Sequence, residues 1–564
     1  MSAKPRSAEL IRPARFQAPL AMDRLILRDA PDPEAVPMDV VFVGGGPAGL
    51  AGAIELARLI SRDNESAGGL GDIEIGVLEK ASQLGEHSLS GAVVNPVALY
   101  ELFPELDIGD LPLRGPVGKE AVYFLTEEKA FRIPTPPTMR NHGNHVASIC
   151  EMVRWLGEKA EGLGVNVFPG FPVDGLLVEA DHVIGVRTTP SGLDREGRPG
   201  RDHVPAMDLT ARVTVLSEGT RGPLTQAFLE WQGIGSENPQ IFALGVKELW
   251  ETPVPLDRVI HTMGWPLPGD AFGGSFMYPL DENLVALGLV VGLDYRDARF
   301  DVHNVLQRMK LHPLLRPYLE GGEMVEWGAK TIPEGGYHSV PERRHGDGVC
   351  VVGDAAGYVD VPSLKGIHYA MHSGILAARA IFRALKADDV SEAGLRSYTE
   401  AVNASYIMKD LRGTRNIRLA FKKGFLRGAV RAGLMTVSGG AIPGGKITTP
   451  EDAEEERVLR DGGPGDSGHG VRSDGKLTFS KVDAVYKAGN QTRDDGPSHL
   501  IVGEDVTPEA AELYMHMCPA GVYELDGDEL RVNPPNCVDC KATDVLGPRW
   551  TAREGGSGPA YRRM

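Results

Sequence analysis

The run Val40-Val41-Phe42-Val43-Gly44-Gly45-Gly46-Pro47-Ala48-Gly49 limits what this chain can fold into more sharply than any other stretch. Four consecutive apolar residues, three of them β-branched, read as a buried strand. The glycines force a tight turn, and residues 48–60 follow with helical spacing. This is the G-x-G-x-x-G form of a dinucleotide-binding βαβ unit. Gly44 permits the turn, Gly46 lets backbone approach a pyrophosphate, and Gly49 lets helix and strand pack closely. Gly45, Pro47 and Ala48 complete a loop that sets the phosphates on a helix N-terminus. Residues 73–78 read as the second strand, closed by Glu79 and Lys80, where a carboxylate would accept from a ribose hydroxyl. That acid lies further along than usual because residues 61–72 form a polar, Gly-containing insertion in the crossover.

A second motif narrows the cofactor. Residues 349–352 read as a late buried strand that leads into Gly353-Asp354-Ala355-Ala356-Gly357 and a long helix near 366–385. The G-D pair resembles the second flavin contact of the FAD-dependent glutathione-reductase-like superfamily, in which the aspartate meets the ribityl chain. The helix opening at Gly366 would then point its positive end at the flavin pyrimidine. No second convincing G-x-G-x-x-G is present, which disfavours a nicotinamide site and suggests that electrons arrive from a protein.

Three of only five cysteines gather near the C-terminus. Cys518 precedes Pro519, and Cys537 and Cys540 stand as C-x-x-C, a thiolate trio that reads as an iron–sulfur site. Thr543 occupies the place of an expected fourth cysteine. Cys150 and Cys350 read as buried small hydrophobes, and so few cysteines point to a reducing compartment. At 564 residues with a net charge of −18, the chain needs several domains and has no general nucleic-acid character. No apolar run approaches the roughly 18–20 residues that cross a bilayer. The N-terminal thirty-five residues lack a secretory core and read as a disordered bacterial terminus.

With these residues together, the chain resembles the electron-transfer flavoprotein–ubiquinone oxidoreductase family from Pro37 to Met564. The resemblance is carried by Glu79-Lys80 with Ser88-Leu89-Ser90-Gly91-Ala92, by Ala243-Leu244-Gly245-Val246-Lys247-Glu248-Leu249-Trp250, and by His261-Thr262-Met263-Gly264-Trp265-Pro266-Leu267. Gly273-Gly274-Ser275-Phe276, Glu334-Gly335-Gly336-Tyr337 and the closing Gly558-Pro559-Ala560-Tyr561 follow at family spacing. The resemblance implies a multidomain α/β and α+β protein. Its parts are a glutathione-reductase-like, Rossmann-type FAD domain (37–240 and 336–449), an interleaved quinone-binding domain (241–335), a linker (450–476) and a C-terminal ferredoxin-like iron–sulfur domain (477–564). It implies electron flow from electron-transfer flavoprotein through an iron–sulfur centre and FAD to membrane ubiquinone or menaquinone. It makes Gly273 and Gly274 the backbone contacts of the quinone. Cys518, Cys537 and Cys540 become three of the four ligands of a [4Fe–4S] cluster.

Three departures from that family stand out. Gly353-Asp354-Ala355-Ala356-Gly357 replaces a G-C-S-P-G form, with Asp360 where asparagine is usual; Ile367 replaces a threonine near the flavin; and Thr543 replaces the fourth thiolate. The last leaves a [3Fe–4S] centre, a [4Fe–4S] centre with Asp544, Thr543 or water as the oxygen ligand, or no cluster. A basic amphipathic stretch suits a monotopic seat on the cytoplasmic face of a bacterial inner membrane. Lys409, Arg412, Arg415, Arg418, Lys422, Lys423, Arg427 and Arg431 interleave there with Ile417, Leu419, Phe421, Phe425, Leu426, Val430 and Leu434. Residues 99–106 form a second, weaker contact candidate. Two other classes stay open: a geranylgeranyl-reductase-like enzyme acting on prenyl double bonds, and a non-catalytic redox partner with a degenerate cluster site.

Overall fold

The computed structural model describes residues 10–66, 68–442, 444–460 and 471–564. Three layers of sheet share one continuous hydrophobic core. The first is a six-stranded sheet ordered Asn166–Pro169, Ile75–Glu79, Val40–Val43, Val213–Leu216, Val349–Val351, His345–Gly346. All neighbours in it are parallel except the last pair. Val40–Val43 is central and wholly buried, as a continuous β-branched run requires when both faces of a sheet are covered. Helix Pro47–Asn64 starts on a proline, whose missing N–H costs nothing at that position. It lies so close to helix Ile367–Lys386 that a Cβ on Gly374 would fall 2.1 Å from the Ala48 carbonyl.

A five-stranded sheet pairs Val173–Glu179 and His182–Thr188 with Asp208–Thr210, and takes in the N-terminal pieces Ile26–Leu27 and Val36–Pro37. The N-terminal region described here is therefore ordered from Leu10, which pairs with Val458; the disorder expected for it falls partly on residues 1–9, outside the described residues.

The third layer is a seven-stranded sheet ordered Glu323–Pro333, Phe242–Glu251, Leu284–Gly292, Gly273–Asp281, Arg258–Gly264, Lys119–Leu125, Ala130–Ile133. Its last two strands lie before residue 240, so the expected boundary there cuts through the sheet. Lys119–Leu125 adds in parallel to Arg258–Gly264 because the intervening chain crosses to the other sheets and back.

The expected linker is only partly a linker. Residues 450–460 form a strap anchored by buried Asp452, Ala453 and Arg457, and residues 461–470 lie outside the described set. In the strap, Arg457 is fully buried and donates to the carbonyls of Leu293 (2.6 Å) and Asp452 (3.0 Å), and Asp452 accepts from the Phe242 N–H at 2.7 Å. An acidic composition disguised these fixed charges. Burial, with the nearby charge of Asp294, pushes the Asp452 carboxyl up to about 7. A carboxyl raised on folding stabilises below its unfolded pKa and loses that contribution as pH rises through the folded one. The stability of the parent chain relative to Asp452→Asn should therefore fall between about pH 4 and about pH 7, as measured by denaturant unfolding.

The C-terminal module consists of helices Lys481–Lys487, Pro508–Met517 and Ala542–Leu546 with two two-stranded ladders. Its tail is stitched into the sheets: the Ile149 N–H donates to the Met564 carbonyl and the Tyr561 N–H to the Glu86 carbonyl, each at 3.0 Å.

Candidate functional site

The carboxyl ends of the parallel strands open onto one cavity of about 1820 Å³, the position where open α/β sheets take ligands. The glycine loop is built as the sequence requires. Gly44 holds φ +111°, and a Cβ there would lie 2.4 Å from the Ser217 carbonyl oxygen. A Cβ on Gly49 would lie 2.3 Å from the Gly44 carbonyl, whereas Gly46 has nothing within 4 Å and faces the cavity. Glu79 fixes the loop, accepting from the N–H groups of Gly45 (3.0 Å) and Ala81 (2.9 Å). Its carboxylate, which also lines the cavity, keeps lone pairs for a hydroxyl. Lys80 is committed elsewhere, as an ion pair with Asp539 in the C-terminal module.

Gly353, at φ +66°, packs against the same loop: its Cβ position is 3.0 Å from Ala48 Cβ. Asp354 is half-buried at the cavity wall, and its carboxylate has no hydrogen-bond partner among the described residues. Burial pushes it up to about 6, against the pull of Lys330. The N-terminus of helix Ile367–Lys386 lies beside it, with the Cβ position of Gly366 3.7 Å from Asp354 Oδ1. An open helix N-terminus, a bare glycine and an orphaned acceptor along one long cavity fit a flavin dinucleotide.

The same cavity reaches the seven-stranded sheet. Gly273 and Gly274 line it, and neighbouring strands occupy their Cβ positions, with the Val290 carbonyl at 2.3 Å and the Thr262 carbonyl at 2.6 Å. Two polar pairs stand close to them on the same two strands. Thr262 Oγ1 and Ser275 Oγ are 2.5 Å apart, and His261 Nε2 and the Tyr278 hydroxyl 2.6 Å apart. Burial pulls His261 down to about 3 and pushes Tyr278 up, so both are neutral. Trp265, Leu267, Phe272 and Phe421 give this end an apolar wall.

The basic stretch divides. Arg418 is buried and paired with Asp294 (2.7 Å) and Glu334 (2.6 Å), Ile417 and Leu419 are core, and Lys422 bonds to Glu455 at 2.9 Å. None of these faces a bilayer, which corrects the continuous amphipathic reading: two buried carboxylates claimed the arginine first. Within residues 99–106, Leu99, Leu102 and Phe103 are core, whereas Tyr100 is exposed. Helix Phe425–Val437 keeps the expected character. Ala429, Ala432, Gly433 and Thr436 line the cavity, Val430 (67 % exposed) and Leu434 (52 %) project outward, and Val437 (91 %) stands at the cavity rim. Among the described residues no helix is long and apolar enough to cross a membrane.

Cys518, Cys537 and Cys540 are buried, unbridged thiols. Burial pushes Cys537 up to about 12. The C-x-x-C turn is gripped from both sides: Lys80 holds Asp539, and the Thr331 N–H donates to the Cys540 carbonyl at 2.9 Å. Burial alone would raise Asp539, but Arg553 and Lys80 outweigh it and hold it well below the usual carboxylate range. Thr543 reaches this site, where its hydroxyl lies 3.4 Å from that of Tyr523. Asp544 does not serve as a ligand: one oxygen accepts from Arg221 (2.7 Å) and Gln226 (3.3 Å), the other from the Trp550 N–H (2.9 Å). His499, Cys537 and Asp539 bring ligand atoms within 4.8 Å of one another. The Asp539 oxygens are already taken by Lys80, Trp550 and Arg553.

Sequence reasoning passed over four groups in the cavity wall: His261, Tyr278, Lys247 and Lys330. Burial pulls both lysines down to about 8. A lysine inside an apolar strand such as Phe242–Glu251 was a usable signal, because an ammonium there needs a reason; the His261–Tyr278 pairing depends on strand register and had none.

The ETF-QO ubiquinone-binding family model matches residues 242–332, and the electron transfer flavoprotein-ubiquinone oxidoreductase 4Fe-4S model matches residues 475–562. The mitochondrial electron transfer flavoprotein-ubiquinone oxidoreductase of Oryza sativa subsp. japonica is 36% identical over 571 residues, covering 94% of each chain. The chain belongs to the electron transfer flavoprotein–ubiquinone oxidoreductase family. The Homo sapiens member is 37% identical over 560 residues, 93% of this chain and 89% of its own. In fold alone, the chain is similar to a geranylgeranyl bacteriochlorophyll reductase-like protein from Thermoplasma acidophilum. That likeness has a TM-score of 0.53 and 19% identity, over 71% of this chain and 90% of that one.

Proposed function

We propose that this chain oxidises reduced electron transfer flavoprotein and reduces ubiquinone or menaquinone, seated peripherally on the cytoplasmic face of a bacterial inner membrane. The observation that carries the reading is that one cavity joins the glycine loop and Asp354 to Gly273 and Gly274. That cavity then passes a helix that exposes Val430 and Leu434 on its other face and Val437 at the cavity rim. A lipid-borne ring reaching the cavity along that helix would never cross water.

FAD, when bound, supplies a carrier that collects single electrons and delivers a pair. The chain's own residues would hold and orient it. The N-terminus of helix Pro47–Asn64 meets the phosphates, Glu79 a ribose hydroxyl, and Asp354 the ribityl chain. Gly366 brings the next helix N-terminus to the pyrimidine. At the far end Gly273 and Gly274 present backbone to the quinone ring. Converting quinone to quinol consumes two electrons and two protons. His261 stays neutral beside Tyr278, so that pair holds a transferable proton on its O–H···N line. Tyr278→Phe is expected to lower quinone-linked turnover about 10²-fold, the lower range for general acid catalysis. Donor-driven bleaching of the flavin should stay near the parent rate in stopped-flow records.

Steady-state turnover with reduced electron transfer flavoprotein and a short-chain quinone tests the reading. Alkene reduction on a prenyl substrate, in place of quinone reduction, would favour the prenyl-reductase alternative that the fold shares. The cluster-domain match and the Gly273-Gly274 segment speak against that alternative.

A further inference from the structure

The C-terminal site offers three thiols where the matched family model carries a four-iron cluster, and the surroundings supply no replacement for the missing donor. Thr543 holds the fourth cysteine's place in the sequence, is only 8 % exposed, and has its hydroxyl 3.4 Å from that of Tyr523. A threonine alkoxide is far too basic to form beside iron under ordinary conditions, and a neutral alcohol is a weak ligand for a site otherwise made of soft sulfur. Asp544, the adjacent hard anion, is turned away and holds Arg221, Gln226 and the Trp550 N–H with both oxygens. Breaking those bonds to reach iron would cost the half-buried Arg221 its carboxylate partner and the Trp550 N–H its acceptor. Asp539, between the two turn cysteines, is likewise saturated by Lys80, Trp550 and Arg553. His499 keeps one unpartnered ring nitrogen, yet it clusters with Cys537 and Asp539, and no polar contact joins it to the Thr543–Tyr523 pair.

We infer that this chain holds a three-iron, [3Fe–4S] cluster on Cys518, Cys537 and Cys540, with its open corner capped by the hydroxyls of Thr543 and Tyr523. A cluster of that kind needs three thiolates and no fourth ligand. The iron of a four-iron cluster without a thiolate would be the one most easily lost from this site. The inference deepens the proposed function by specifying its second redox centre, but iron content and magnetic state are read without any quinone. A failed quinone assay therefore leaves it standing, and a failed iron analysis leaves the flavin reading standing.

The test uses the full-length protein, purified anaerobically and reconstituted with iron and sulfide, alongside Thr543→Cys and His499→Ala. The native chain should contain about three irons and four sulfides and show a low-temperature EPR signal when oxidised that disappears on one-electron reduction. Thr543→Cys, close to isosteric, should gain the fourth iron, become EPR-silent when oxidised and show a signal only when reduced. His499→Ala should match the native spectrum. Flavin absorbance reports folding in each variant. Four irons and an oxidised-state silence in the native chain would overturn the proposal. The imidazole would be identified as the fourth ligand if His499→Ala then turned that cluster into a three-iron one. Iron bound by Thr543→Cys but not by the native chain, or by neither, would overturn it as well.

Discussion

Gly49→Val is expected to yield a folded but nearly colourless protein. Its Cβ would lie 2.3 Å from the Gly44 carbonyl oxygen and 2.7 Å from Ser217 Oγ, and neither neighbour is free to move. Ser217 Oγ donates to the carbonyls of Val43 and Gly44, each at 2.8 Å, and so ties the loop to the central strand. The helix must shift away from the strand, which tilts the amides meant for the pyrophosphate. Overpacking of this kind costs about 1–3 kcal/mol or more, so the flavin should be held about 5- to 150-fold more weakly. The ratio of flavin to protein absorbance after desalting measures it, with far-UV circular dichroism as the check on folding.

Arg418→Met is expected to destabilise the chain by about 3–5 kcal/mol, the usual cost of stranding a buried charge. The guanidinium is the partner of both Asp294 and Glu334 and lies over the Phe272 ring at 4.2 Å. Lys422, 3.6 Å from Asp294, softens the loss at one carboxylate; nothing comparable serves Glu334 among the described residues. Because Arg418 sits at the start of the segment leading into helix Phe425–Val437, the variant should also loosen the wall at the quinone end. Denaturant unfolding gives the stability change.

The strand, turn and helix around Gly44–Gly49 were legible because each piece carries its own local reason: continuous apolar burial, a positive φ and a helix start. The late strand before Gly353 was legible in the same way. The buried role of Arg418 was not, because it depends on Asp294 and Glu334, 124 and 84 residues away in the chain. A local amphipathic pattern cannot tell an arginine that meets lipid phosphate from one that meets a buried carboxylate. Lys80 shows the same limit: its partner, Asp539, lies 459 residues away. The cysteine trio was legible from its spacing, whereas the commitment of Asp544 to Arg221 appears only once the module is docked. The strands Lys119–Leu125 and Ala130–Ile133 carry no local signal of their sheet, and only pairing across the fold assigns them to the quinone-side one.

The central claim is that a single cavity places a bound flavin within reach of a quinone at Gly273 and Gly274. Stopped-flow reoxidation of the photoreduced, FAD-loaded protein under anaerobic conditions tests it most directly, with short-chain quinone added alone or dissolved in anionic vesicles. The account predicts a return of the oxidised flavin spectrum that is first order in quinone and slowed at least about tenfold by a bulky residue at Leu267, through overpacking of the apolar wall. A flavin that stays bleached with every quinone, while oxygen still reoxidises it, would contradict the claim.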